Sequence, residues 1–253
     1  MPLLLNIKDV TTSSHEGYQK FDFTIAGKNC TLIKPNKQDD NKQWVWKAEF
    51  LNAFPAFDLE MLSRGYWIAF MNAENSFGCP EAINLFDVFY EKLVKENYFK
   101  PRPILEGLSR GGLSVYNWAI KNKDKVGMIY ADNPVCDIKS WPGGKGKGKG
   151  SPKDWAKLLK DYKFKSEEEA LNWQHNPIDH VCELAKANIP IVHIYGDADE
   201  VVPWDENTGV IINKLNQIDK SIHLIVKKGE EHHPHGPNNA KSFADWVINN
   251  LKH

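Results

Sequence analysis

Four apolar runs, YWIAFMN (66–72), PILEGLS (103–109), VGMIYADNP (126–134) and PIVHIYG (190–196), are each too short for a core helix and read as buried strands. Stretches with apolar residues at helical spacing alternate with them. PEAINLFDVFYEKLVKEN (80–97) puts Ile83, Phe86, Phe89, Tyr90 and Leu93 on one face and starts with Pro80, which the first helical turn tolerates. GLSVYNWAIKN (112–122), TGVIINKLNQI (208–218) and KSFADWVINNLK (241–252) continue the pattern, with IHLIVKK (222–228) as a further strand. Alternation of this kind requires crossover connections, and the crossovers cover both faces of a parallel sheet. The expected fold class is α/β: a mostly parallel twisted sheet with helices on both faces.

The first third reads differently. FDFTI (21–25) and TLIKP (31–35) flank a Gly27-Lys28-Asn29 turn and predict an antiparallel hairpin, WVWKA (44–48) predicts a third strand, and AFDLEMLSRG (56–65) a helix. One region, about 138–186, breaks the alternation. It opens with the Gly/Lys loop SWPGGKGKGKGSP and continues with helical pieces at DWAKLLKDY and SEEEALNW, where Ser166 and Glu169 have capping-box spacing. It is expected to be a helical insertion, a lid over the strand ends, within a single domain spanning 1–253.

At 253 residues such a domain buries enough surface to need neither disulfides nor a metal. Cys30, Cys79, Cys136 and Cys182 lie far apart and read as free thiols. A formal net charge of −1 argues against nucleic acid or an anionic membrane surface as partner. The opening MPLLLNIKDV has three consecutive leucines, too few for a signal-peptide core, and no later run is long enough to span a bilayer. The expected compartment is cytoplasmic, or periplasmic or secreted if a signal has been removed. Nothing in the sequence assigns an oligomeric state.

The run at 103–114 then acquires a meaning. Gly107-Leu108-Ser109-Arg110-Gly111 ends a predicted strand and opens a predicted helix, the context of a nucleophile elbow. The turn strains the serine backbone and lifts its hydroxyl above the sheet, and side chains at 107 and 111 are expected to strike the neighbouring helix and strand. A serine needs a base and an orienting acid. HIYGDADEVVP (193–203) offers Asp199 just after a strand, and KKGEEHHPHG (227–236) offers His232 just after another. Each candidate thus falls at the C-terminal end of a strand, where open α/β sheets place their sites.

The order Ser, Asp, His, with G-L-S-R-G-G at 107–112, G-D-A-D-E-V-V-P at 196–203 and G-E-E-H-H at 229–233, resembles the α/β-hydrolase superfamily over nearly the whole chain. The resemblance implies Ser109 as nucleophile, Asp199 as acid and His232 as general base. Asp197, Asp132 and Asp137 are rival acids, and His233 and His235 rival bases. For the oxyanion hole it implies the backbone N–H of Arg110 and one from the loop after the third strand. Lys47-Ala48 stands where relatives often have His-Gly, which makes Glu49 the second donor. G-x-S-R-x-G is also similar, over a few residues, to glucuronoyl esterases.

The expected function is a serine carboxylic-ester hydrolase working through an acyl-enzyme on small acyl esters of carbohydrates. Trp141, Trp155 and Trp173 in the insertion are candidates for stacking on sugar rings. The alternatives are a prolyl-oligopeptidase-like serine peptidase and a non-catalytic ligand-binding homologue. No cofactor is implied. His232-His233-Pro234-His235 has no carboxylate or cysteine partner at recognisable ligand spacing, so no metal site is assigned from sequence. GGKGKGKGS lacks the preceding strand of a phosphate loop and has Gly150 where that loop requires Ser or Thr after Lys149, and its lysines read as a solvated loop.

Overall fold

The computed structural model describes residues 7–37, 42–73 and 75–252. The leucines at 3–5, on which the signal-peptide reading turns, lie outside the described residues. Strand β1 (Thr11–His15) pairs antiparallel with β2 (Tyr18–Ile25), and β2 with β3 (Lys28–Lys34). The β2–β3 turn is Ala26-Gly27, both at positive φ (48° and 74°), one step earlier than the sequence suggests; this is the two-residue geometry that matches strand twist. The TTSSH of β1 carries no apolar alternation because it is an exposed edge strand, so no hydrophobic signal announces it.

The chain continues through β4 (Trp44–Lys47), α1 (Ala56–Ser63), β5 (Trp67–Met71), α2 (Pro80–Glu91), β6 (Ile104–Leu108), α3 (Gly111–Lys121) and β7 (Met128–Asp132). Then come α4 (Pro152–Asp161), α5 (Glu167–Leu171), α6 (Pro177–Lys186), β8 (Ile191–Gly196), α7 (Thr208–Asn216), β9 (His223–Lys227) and α8 (Ala240–Asn250). Among the described residues the nine strands form one sheet in the order β1-β2-β3-β5-β4-β6-β7-β8-β9. From β5 to β9 every neighbouring pair is parallel.

Period-two alternation along the buried strands feeds two cores. On one face Trp46 packs against Phe86, Phe89 and Trp118 with ring centroids 4.9–5.3 Å apart. On the other, Phe57, Tyr130 and Phe243 meet at 4.8–5.3 Å. Lys47, at the end of β4, is fully buried: its Nζ lies 2.5 Å from Asp58 Oδ2 and 3.3 Å from Glu106 Oε1. Burial, then the Asp58 charge, pushes Glu106 well above the usual carboxylate range.

The 137–187 stretch contains no strand. Helices α4 and α5 bury Trp155, Leu158 and Ala170 against Phe77, Leu113, Val135 and Trp141, a satellite core above the sheet. Helix α6 behaves differently: its Ile178, Val181 and Leu184 join the main core. That helix covers the sheet, not the strand ends, because its apolar face continues the α3 side of the fold. At α5 the Ser166 hydroxyl accepts from Glu169 N–H at 3.2 Å, but the Glu169 carboxylate returns to Lys165 N–H, not to Ser166. A full capping box forms instead at Asn176 and Asp179 of α6. Among the described residues no helix is long and apolar enough to cross a membrane.

Inside β8, His193 is fully buried, with Nε2 2.6 Å from the Tyr116 hydroxyl and Nδ1 2.9 Å from Thr208 Oγ1. Burial holds its pKa down at about 3. The folded protein therefore keeps this imidazole neutral, whereas the unfolded chain protonates it below about pH 6.5. The unfolded state then binds the extra proton, so stability is full above that pH and falls as the pH drops towards 3. Between pH 7 and pH 5 this one group should remove on the order of 2 kcal/mol. Urea unfolding of the wild type and of His193→Gln at the two pH values checks it: the variant should lose less stability on acidification.

Candidate active site

Strand β6 ends at Leu108, helix α3 begins at Gly111, and Ser109 makes the corner at φ 50°. The left-handed backbone costs about 1–3 kcal/mol and persists because neighbours pin it. Ser109 N–H donates to Asp132 O at 2.9 Å, and Ser109 O accepts from Gly112 and Val135 N–H, both at 2.9 Å. The glycines have sharply different roles. A Cβ on Gly107 would stand 2.6 Å from Val115 Cγ2 and 2.8 Å from Gly111 O, and one on Gly112 would stand 2.7 Å from Val135 O. One on Gly111 meets only Glu49 carbons at 3.4 Å, an ordinary contact. The expected collision at 111 is corrected: the crowded positions are 107 and 112, because Gly112 is the residue that faces the loop after β7.

The corner lifts Ser109 Oγ to 2.9 Å from His232 Nε2. His232 Nδ1 in turn lies 2.6 Å from Asp199 Oδ2. The carboxylate accepts only, so Nδ1 carries the hydrogen and Nε2 presents its lone pair to the hydroxyl. The other Asp199 oxygen, Oδ1, accepts from Val201 and Val202 N–H at 2.8 and 2.9 Å. Asp199 and His232 are each about 5% exposed, so their pairing is little screened. Three strand ends, β6, β8 and β9, deliver the three groups.

The rival acids and bases are engaged elsewhere. Asp197 Oδ1 accepts from Gly229 N–H at 2.6 Å, which ties the loops after β8 and β9 together. Asp137 accepts from Lys139 N–H, and burial raises it above the usual carboxylate range. Asp132 faces His235, with Oδ1 2.6 Å from His235 Nδ1. His233 is exposed and stacks on Phe54 at 5.7 Å; partial desolvation against its neighbours, then the imidazoles of His232 and His235, holds it below its ordinary pKa.

Asn133 has no signal in the sequence, yet its amide joins two of the loops. Its Nδ2 donates to His232 O at 2.9 Å and its Oδ1 accepts from Gly196 N–H at 2.8 Å. Only a folded sheet shows that these groups, 99 and 63 residues away, converge on it.

Glu49 follows β4 against the first turn of α3, with its backbone nitrogen 4.0 Å from where a Gly111 Cβ would stand. Its buried carboxylate accepts from Asn75 N–H at 3.2 Å and from Arg110 Nε at 3.3 Å. Arg110 also lies over the Phe50 ring at 4.7 Å. The guanidinium is thus neither freely solvated nor an open anion site: a carboxylate balances its charge.

A cavity of about 410 Å³ opens beside His232, between Lys149, Glu200, Val201, Glu231 and His233. The Gly/Lys loop forms part of its rim. Lys145 pairs with Glu167 and Lys147 with Asp205, so this loop is tethered by charge at two of its three lysines. None of Trp141, Trp155 and Trp173 lines this cavity. The first two are at least nine-tenths buried in the satellite core and Trp173 packs on Tyr162 and Phe164. For Trp141 and Trp155 the expectation of stacking on sugar rings is corrected, since their rings serve to seat the insertion; Trp173 is half-buried and lines a separate cavity with Gly78, Ile83 and Tyr162.

A mostly parallel sheet with these strand ends, and a serine on a left-handed corner facing a carboxylate-held imidazole, define the class: the α/β-hydrolase fold. Residues 86–253 match the prolyl oligopeptidase family, and the chain belongs to that family. None of the curated proteins matches it in sequence. Among solved structures it is similar to dipeptidyl peptidase 4 of Porphyromonas gingivalis (TM-score 0.67, 14% identity, 98% of this chain, 36% of that one). It is also similar to S-formylglutathione hydrolase of Staphylococcus aureus (0.63, 12%, 93% and 100%) and to Est1E of Butyrivibrio proteoclasticus (0.60, 15%, 95% and 96%). The chain thus spans about a third of the length of the dipeptidyl peptidase.

The different clearances at the corner have a measurable consequence. Gly112→Ala must push against Val135 backbone and should cost about 1–3 kcal/mol, whereas Gly111→Ala should be neutral or mildly stabilising. Thermal denaturation of the two variants beside the wild type reads the difference.

Proposed function

We propose that Ser109, His232 and Asp199 hydrolyse a carboxylic ester through an acyl-enzyme. The reading rests on the unbroken relay of two hydrogen bonds, 2.9 Å from Ser109 to His232 and 2.6 Å from His232 to Asp199. Ser109 Oγ attacks the ester carbonyl while its proton passes to His232 Nε2. Asp199 keeps Nδ1–H in place and steadies the imidazolium. The backbone N–H groups of Arg110 and Glu49 hold the tetrahedral oxyanion. The alkoxide departs with the proton from His232, and water then attacks the acyl-enzyme by the same path, returning Ser109–H. Loss of one oxyanion donor would cost on the order of 3 kcal/mol of transition-state stabilisation.

The substrate class we infer is a small acyl ester of a polar alcohol, carbohydrates included. The cavity beside His232 supports it, because Lys149, Glu200 and Glu231 on its rim can hydrogen-bond the hydroxyls of such an alcohol. Membership of the prolyl oligopeptidase family favours a second reading, hydrolysis of a peptide bond by the same three residues. A non-catalytic binder is a third, from a different class.

Ser109→Ala should abolish turnover of p-nitrophenyl acetate with an unchanged circular-dichroism spectrum, and Asp199→Asn should lower kcat by on the order of ten-thousand-fold. Full activity in a clean Ser109→Ala preparation refutes the nucleophile. Rates on acetylated sugars, methyl uronates and dipeptide anilides separate ester from peptide substrates. A fluorophosphonate that leaves Ser109 unmodified would identify a binder.

A further inference from the structure

The loop after β9 carries three histidines, and the hydrolytic reading uses only His232. One ring nitrogen from each of His232, His233 and His235 lies within 4.8 Å of those of the other two. The three rings stand 4.7–4.9 Å apart, steeply inclined to one another. His235 is 6% exposed. Its Nδ1 is 2.6 Å from Asp132 Oδ1, so that nitrogen carries the hydrogen and Nε2 carries the lone pair. This Nε2 is buried and has no hydrogen-bond partner among the described residues. An unmade buried acceptor costs about 1–3 kcal/mol, a cost that a bound cation would relieve.

Two imidazoles here have the same support. Asp132 holds His235 by Nδ1 and Asp199 holds His232 by Nδ1, leaving each with a lone pair on Nε2. Zinc-ligating imidazoles usually donate their other N–H to a carboxylate, a carbonyl or water in this way. The third ring, His233, is exposed and stacks on Phe54, on the outer side of the cluster. Tetrahedral zinc with bonds of about 2.0–2.1 Å needs nitrogens about 3.4 Å apart, so the cluster must close by an ångström or so. Sequence spacing hid the support, because Asp132 lies 103 residues before His235.

We propose that His232, His233 and His235 bind one Zn²⁺ ion, and that the ion inhibits hydrolysis. Zinc on His232 Nε2 takes the lone pair that otherwise receives the Ser109 proton. The hydroxyl loses its base, and removal of the metal restores it. No bond in the protein is made or broken. The inhibition rests on the acyl-enzyme reading above; the binding does not.

Titration of chelator-treated protein with ZnCl₂, followed by calorimetry, tests it. We expect one equivalent bound, with affinity lowered about tenfold or more in His233→Ala and in His235→Gln, and retained in Ser109→Ala. In parallel, p-nitrophenyl acetate hydrolysis should fall over the same zinc range and return with EDTA. His233 is exposed, so its variant should fold even if that of His235 does not. Absence of saturable binding, or an affinity untouched by His233→Ala, overturns the site. Single-site binding through these histidines without any effect on an active enzyme overturns the inhibition. Binding to a protein that hydrolyses nothing leaves the metal site standing and refutes the hydrolase reading instead.

Discussion

At Ser109 the chain leaves a buried strand and enters a helix within two residues, and hydrogen bonds on both sides of the residue hold φ at 50°. Those bonds reach Asp132, Gly112 and Val135, so the corner is anchored to the end of the neighbouring strand β7. No flexible loop stands between the serine and the sheet. The position of its hydroxyl is therefore as rigid as the strands themselves, and the remaining groups have a fixed target.

The partners reach that target through loops, which are intrinsically loose, and polar clamps remove the looseness. Asn133 grips the backbone at both His232 and Gly196. Asp197 ties to Gly229. Gly196 lies so near the facing loop that a Cβ there would stand 2.2 Å from Glu230 O. Beneath, Lys47 joins β4, α1 and β6 through Asp58 and Glu106. Removing one member of such a buried set leaves the others uncompensated, typically at about 3–5 kcal/mol, so the platform resists piecemeal change. Its worth lies in fixing register, because a well-packed apolar replacement can match such a set in stability.

Much of the fold was legible because burial writes its own pattern. Strands β5 to β8 are buried on both faces and appear as short apolar runs, α2 and α8 show a single apolar stripe, and α3 is buried nearly all round. The edge strand β1 was invisible because water covers it. Helix α6 was grouped with the insertion because chain position carries no information about which neighbour its apolar face meets. Trp141 and Trp155 were misjudged for a related reason: an aromatic ring that lines a cavity and one that fills a core leave the same letter. At the candidate site, Ser109, Asp199 and His232 stood out through their strand-end contexts. Asn133 and the Asp132–His235 pair did not, since they act across distances of 63 to 103 residues.

The sequence by itself determined the alternation of strand and helix, the strand-to-helix corner at Ser109 and the strand-end positions of Asp199 and His232. These are local properties, set by side-chain periodicity and by the backbone freedom of glycine. Only the tertiary structure decided which glycine is crowded, which aspartate faces which histidine, and that Arg110 is neutralised by Glu49. Such choices depend on contacts between strands distant in the chain, where a clearance of a few tenths of an ångström or a single hydrogen bond selects one partner among chemically identical candidates.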